Sequence, residues 1–278
     1  MRPDARVDAL IEAFQRVAPD PGRLVVAVVS MSEPAAPLSR LVAGRSRNYI
    51  LRSTGRGAIP LPDAEVDVVV ADLPSPVDLA AACDEVARVL KPGGHLILAA
   101  PGEPQELRDG LSAGGVAEPD LRPAGEHPSA GWLAAGRREA HEFAPSSGCI
   151  VCGAGNPIGL HVRFWGSGRR AWTKVKPGAG YQGWQGVLHG GIVTALLDDA
   201  MWYGIHQATG SVTLTAELTV RYRKPVSDDD LLTVGGELVR QRGRIYESAA
   251  QLFAGDGGVL AEATAKFMAA PPGIREQL

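Results

Sequence analysis

Cysteine is scarce in this chain: three among 278 residues, Cys83, Cys149 and Cys152. That argues for a reducing compartment, and the cytoplasm is the expected location. Long apolar runs are absent. The longest, LVVAVV from Leu24 to Val29, is far too short to span a bilayer, so no membrane association is expected. An excess of charge of one sign is absent too. A net charge of -3 offers no basic surface for nucleic acid. The opening MRPDARVDALIEAFQRV does not read as a signal peptide: it carries acidic residues, and Val7, Leu10, Ile11, Phe14 and Val17 recur at helical spacing. Glycine, 34 in all, is missing from the whole stretch between Arg23 and Ala43.

What is present divides into two halves with different periodicity. In the first, LVVAVVS, RNYILRS, VDVVVAD (Val66 to Asp72) and HLILAA (His95 to Ala100) read as strands. Between the last two, Leu79, Cys83, Val86, Val89 and Leu90 have helical spacing, and KPGG (Lys91 to Gly94) reads as that helix's stop. Alternating β and α segments with continuous apolar strands predict a parallel α/β sheet. The second half predicts one clear helix, from about Gly191 to His206, among long β segments. HVRFWG, AWTKVK, TLTAELTVRYR, LLTVGGELVRQ, RIYESAAQLFA and VLAEATAKFMA are the strands, with GDGG (Gly255 to Gly258) as a hairpin turn. In TLTAELTVRYR, strict alternation sets Leu214, Ala216, Leu218, Val220 and Tyr222 on one face and Thr213, Thr215, Glu217, Thr219 and Arg221 on the other. One helix among antiparallel strands makes an α+β domain. The expected division is 1–140 and 141–278, because charged, Pro and Ser residues cluster between Arg137 and Ser147.

The segment GVLHGGIVTALLDDAMWYG (Gly186 to Gly204) concentrates the chemistry. Gly190 and Gly191 let another group approach the backbone closely. Amides at a helix start have no partner within the helix and sit at the positive end of its dipole, so they suit a developing oxyanion. His189 stands at the entrance. Asp198 follows inside the apolar run TALLDDAM, and its neighbour Asp199 is rotated by about 100° along the helix. Attack on an acyl carbon needs a polarised carbonyl and a nucleophile. Helix-start amides supply the first and a partly desolvated carboxylate the second, with no metal and no cofactor required.

HGGIVTALLDDAM, with YQGWQGVL before it and TLTAELTVRYRKPV after it, resembles the PaaI-like acyl-CoA thioesterases of the hotdog fold, as does CIVCGAGNPIGLHVRF. The resemblance covers roughly Ser147 to Pro271. It implies a central helix wrapped by a curved antiparallel sheet, assembled as a homodimer or a dimer of dimers. It implies an acyl-CoA or acyl-carrier thioester as substrate. It places the carbonyl-polarising amide at Gly190, after His189, and the helix carboxylate at Asp198, acting as base or nucleophile. Thr215 is the best match for an assisting threonine. Gly191 and Asn156 are the expected substrate contacts, Asn156 also being able to shape the turn before Pro157. Non-hydrolytic acyl binding and dehydration are the alternative uses of such a domain, but His189 and Asp198 lack the spacing a dehydratase needs.

The first half resembles class I S-adenosylmethionine-dependent methyltransferases over about Arg23 to Arg138, chiefly their later part from Ile59 to Gly102, through LPDAEVDVVVA, EVARVLKPGG and HLILAA, with GWLAAGRR (Gly131 to Arg138) similar to their last strand. A small Rossmann-like domain is implied. The family's cofactor site needs a glycine turn after the first strand and an acidic end to the second. Here MSEPAAP and ILRST stand in those places. A degenerate domain that does not bind the cofactor is expected, methyltransferase activity being the alternative.

Cys149 and Cys152 form a CxxC. A zinc site wants further ligands, for which only His141 and His161 are near in sequence, so a packed turn is expected. Arg221, Arg223 and Lys224 are read as a solvated basic edge that could meet CoA phosphates. Trp165, Trp172, Trp184 and Trp202 are expected in the core or a pocket wall.

Overall fold

Valine-rich strands and an amphipathic helix build the first of two units. The computed structural model describes residues 4–17, 24–30, 38, 48–52, 59–73, 78–125 and 131–275. The first unit comprises residues 1–59 and 64–139, the second residues 60–63 and 140–278. The first contains α1 (Asp4–Val17), β1 (Val26–Ser30), β2 (Asn48–Arg52), β3 (Val66–Asp72), α2 (Leu79–Arg88), β4 (Leu90–Ala100), α3 (Pro104–Ala113), β5 (Val116–Pro123) and β6 (Trp132–Arg138). The sheet order is β2-β1-β3-β4-β6-β5. Pairings from β2 through β4 are parallel, while β6 runs antiparallel to both β4 and β5. The expected parallel sheet thus holds for four strands and ends in an antiparallel pair. Leu10 and Phe14 of α1 bury themselves against Val26, Val28, Val68, Val70 and Ile97.

The KPGG reading needs correction. The helix α2, capped at its start by Asp78 accepting from the Ala81 amide at 3.1 Å, ends at Arg88. β4 begins at Leu90, so Lys91 to Gly94 lie inside the strand. Val66 pairs with Leu90 and Val68 with His95, so the four residues Lys91 to Gly94 bulge out of the ladder, with Gly93 at φ +73°. The MSEPAAP segment and the end of ILRST lie outside the described residues.

The second unit contains β7 (His141–Glu142), β8 (Trp165–Ser167), β9 (Arg170–Val175), β10 (Gln182–Trp184), β11 (Val187–Leu188), α4 (Gly190–Thr209), β12 (Thr213–Tyr222), β13 (Leu232–Arg242), β14 (Ile245–Phe253), β15 (Val259–Ala269) and the short α5 (Pro272–Arg275). Seven strands form one antiparallel sheet in the order β12-β15-β14-β13-β9-β8-β7, and β10 and β11 pair separately. The sheet packs against α4, whose Val193, Leu196, Leu197, Ala200, Met201 and Ile205 are buried. The helix runs past the predicted His206 and stops where Gly210 adopts φ +65° and its amide bonds the His206 carbonyl at 2.7 Å.

Helix and sheet meet through small residues. Ala171, Gly236, Ala250 and Ala263 are register partners across β9, β13, β14 and β15, and all are buried. A Cβ on Gly236 would collide with the Ala200 backbone, and one on Gly204 would come within 2.7 Å of the Gly236 carbonyl oxygen. This contact therefore requires glycine on both sides.

The alternation expected along β12 breaks at one point. Thr215 pairs with Phe267 and Glu217 with Lys266, so Ala216 is an extra residue on this strand. A bulge exchanges the faces beyond it. Thr213 is buried and Thr215 meets α4 before the bulge, while Leu218 and Val220 pack on the core after it. Leu214, expected on the apolar face, is 45% exposed. Trp184, expected in the core or a pocket wall, is exposed, whereas Trp172 is buried.

Candidate functional site

The entry to α4 is held from both sides. The Leu188 amide bonds the Val226 carbonyl at 2.8 Å, and the His189 amide bonds the Tyr181 carbonyl at 2.9 Å. His189 is the N-cap residue, at φ -60° and ψ 133°, and its Nδ1 accepts from the Gly191 amide at 2.9 Å. The imidazole therefore fills the place that a Ser or Asp side chain commonly takes, with its ring proton on Nε2. The Gly191 amide donates to His189 Nδ1. The Gly190 amide has no acceptor among the described residues, as expected for the first helical position.

Gly190, Thr194 and Asp198 recur every four residues and form one stripe along α4. The stripe faces β12. Tyr222 donates its hydroxyl to the Gly190 carbonyl at 2.9 Å, Thr194 Oγ1 reaches the same carbonyl at 3.0 Å, and the two hydroxyls lie 2.7 Å apart. Eight residues further on, Thr215 donates to Asp198 Oδ1 at 3.0 Å and Oδ2 at 3.1 Å. Burial raises the Asp198 pKa above the ordinary carboxylate value; the Thr215 hydrogen bond works against that shift, and the negative charge of Cys149 adds to it. The bulge at Ala216 lets Thr215 face the helix while Leu218 and Val220 beyond it still pack on the core.

Asp199 takes a different partner. Its Oδ2 lies 3.5 Å from Cys149 Sγ. Burial, followed by the Cys149 charge, pushes its pKa up to about 8. Cys149 is held below the ordinary thiol range, first by the Cys152 side chain and then by backbone amides, with burial opposing, while Cys152 is pushed up by Cys149 and by burial. Neither histidine weighed for the CxxC joins this group. His161 Nδ1 bonds the Gly153 carbonyl at 2.9 Å, and His141 packs edge-on against Phe143.

Asn156 is placed as a turn builder. Its Nδ2 donates to the Gly148 carbonyl at 3.2 Å and its Oδ1 accepts from the Ile158 amide at 3.1 Å. Both ends of the amide are thus engaged within the loop. Arg223 pairs with Glu262, while Arg221 and Lys224 are exposed. Sequence reasoning missed Thr194 and Tyr222, although the four-residue spacing from Gly190 to Asp198 signalled the first.

Residues 185–261 match the family model described as the thioesterase superfamily. The second unit contains a hotdog thioesterase-superfamily domain. Residues 11–98 match the model described as a methyltransferase domain, so the first unit carries a methyltransferase domain ahead of the hotdog domain. Among solved structures, the chain is similar to a crystallised thioesterase superfamily protein at 29% identity and TM-score 0.41, covering 43% of this chain and 59% of that one. The chain thus spans less than two thirds of that relative's length. It is also similar to PaaI of the E. coli phenylacetic acid degradation operon (17% identity, TM-score 0.38, 40% of this chain and 81% of that chain). A hypothetical thioesterase from Streptococcus pneumoniae TIGR4, solved with coenzyme A, is 22% identical (TM-score 0.35, 36% of this chain and 81% of that chain). No curated protein matches. No described helix is long and apolar enough to cross a membrane.

Proposed function

We propose that the hotdog domain hydrolyses acyl-CoA or acyl-carrier thioesters, in the cytoplasm, at a site shared between two chains of a homodimer. One observation carries this reading: a free helix-start amide at Gly190 and a threonine-held carboxylate at Asp198 lie on one stripe under an open sheet edge. In the proposed reaction the Gly190 amide polarises the thioester carbonyl. Asp198 takes a proton from water, which attacks the acyl carbon. The C–S bond breaks, and the proton leaves with the thiol. The acyl group leaves as a carboxylic acid. His189 serves by capping the helix and spending the second glycine amide, so that the Gly190 donor alone faces the carbonyl. Thr215 orients Asp198.

Sharing between chains follows from length. Gly190 and Asp198 are eight residues apart, roughly 12 Å along a helix. A carbonyl must lie about 3 Å from its donor and close to the nucleophile as well. A second copy docked along β12, one of the two edge strands among the described residues, brings its own helix start towards Asp198.

The test is thiol release from a panel of aliphatic and aromatic acyl-CoA substrates by the full chain. Wild type is expected to turn over at least one class, and Asp198→Asn to lose roughly 10²–10⁴-fold in kcat with an unchanged circular dichroism spectrum. Full activity in Asp198→Asn overturns the assignment.

A further inference from the structure

The cluster beside the proposed catalytic stripe has a separate chemistry. We propose that Cys149, Cys152 and Asp199 form a zinc site, with water as the fourth ligand.

The ligand atoms of the three residues all lie within 4.8 Å of one another. Zinc binds thiolate sulfur at about 2.3 Å and carboxylate oxygen at about 2.1 Å, which in a tetrahedron sets sulfur and oxygen about 3.6 Å apart. The observed separation of Cys149 Sγ from Asp199 Oδ2 is 3.5 Å. This one pair already stands at the edge length of a coordination tetrahedron.

The surroundings of the sulfurs point the same way. Cys149 Sγ accepts from the Val151 amide at 3.3 Å and the Cys152 amide at 3.4 Å. Cys152 Sγ accepts from the Tyr203 hydroxyl at 3.2 Å. Three donors therefore aim at two sulfurs. Such an outer shell stabilises thiolates, the form in which cysteine binds a metal. The turn is closed by Gly153, whose amide bonds the Cys149 carbonyl at 3.0 Å. A Cβ there would collide with the Cys149 backbone, so only glycine permits a loop this tight. The turn presents both sulfurs together, and α4 presents the carboxylate to them from a rigid element. Two soft sulfurs and one oxygen select zinc over magnesium or calcium. His141 and His161, which the CxxC spacing would suggest, are engaged elsewhere. The third ligand comes instead from a residue 47 positions after Cys152.

Metal binding by the full chain tests this without reference to hydrolysis. The protein is reduced, its three thiols are counted after denaturation, and metal is stripped with a chelator. Cobalt(II) is then titrated in, followed by zinc. The expected result is one cobalt per chain with a thiolate-to-cobalt charge-transfer band and tetrahedral ligand-field bands, all erased by zinc. Cys149→Ser and Asp199→Asn should each weaken binding by roughly tenfold or more, and Tyr203→Phe by roughly 10–100-fold through loss of the outer-shell donor. Cys83→Ser, in the other unit, should bind as wild type. Tyr203→Phe keeps the test decisive if Cys149→Ser does not fold. Absence of the charge-transfer band, or wild-type affinity in every folded variant among Cys149→Ser, Asp199→Asn and Tyr203→Phe, overturns the proposal.

Discussion

At the scale of single residues, Gly190 offers a clean separation of backbone chemistry from side-chain space. Its Cβ, if present, would lie 3.4 Å from the Tyr222 hydroxyl, an ordinary contact. Gly190→Ala should therefore keep both the fold and the amide, and with them most of the activity. Gly190→Pro removes the amide alone. Proline is favoured at the first helical position, and His189, at φ -60° and ψ 133°, already has the extended backbone that a following proline demands. The expected result is a folded protein with kcat lower by roughly 10²–10³-fold, the worth of one oxyanion donor. Equal kcat in the Ala and Pro variants would remove Gly190 from the reaction. Asp198 and Gly190 were legible in the sequence because their residue types stand out against an apolar helix. The engagement of Gly191 by His189 was not, since it depends on a rotamer. Nor was the meeting of Asp199 with Cys149, two residues separated by 49 intervening positions.

At the scale of elements, the contact between α4 and the sheet rests on removed volume. Gly236→Ala would place a methyl group against the Ala200 backbone, which cannot swing aside as a side chain would. Replacing glycine lowers unfolded-state entropy and stabilises by about 0.4–1 kcal/mol where the site has room. Overpacking a core costs about 1–3 kcal/mol. The second effect wins here, so denaturant unfolding of the hotdog domain should shift to lower midpoint. A higher midpoint would mean that α4 stands off from β13. The long helix and the long strands of the second unit were readable from periodicity, because apolar spacing is a local property; β7, β10 and β11 are too short to show a period, and HVRFWG becomes strand only at Trp165. The bulge in β12 was not. Ala216 looks like any other residue of an alternating strand, and only pairing with β15 shows it to be surplus. The KPGG stretch misled for the same reason: proline and glycine interrupt a ladder as readily as they end a helix.

At the scale of the whole molecule, the proposed shared site makes a prediction about mixtures. Asp198→Asn and Gly190→Pro chains are each expected to be inactive alone. When subunits exchange at random, half of the dimers are mixed, and each mixed dimer holds one site with neither defect. About a quarter of wild-type activity should return under two-fold symmetry. A mixture that stays inactive, with exchange confirmed by native mass spectrometry, would mean that each site is built within one chain. The division into a methyltransferase domain and a hotdog domain was legible because the two halves differ in period. The docking edge was not, since it is defined by which strand lacks a neighbour.

That unpaired edge has a kinetic consequence. An enzyme whose carbonyl donor and carboxylate come from different chains does not exist at infinite dilution. Its specific activity is expected to fall as the protein is diluted, reaching half its plateau near the dimer dissociation constant. Added inactive Gly190→Pro chain should then rescue dilute wild type, since it supplies an intact Asp198 to a partner's intact Gly190. Constant specific activity, where sedimentation shows only monomer, would sink this expectation. With a shared site, abundance sets the rate of this reaction more steeply than in simple proportion.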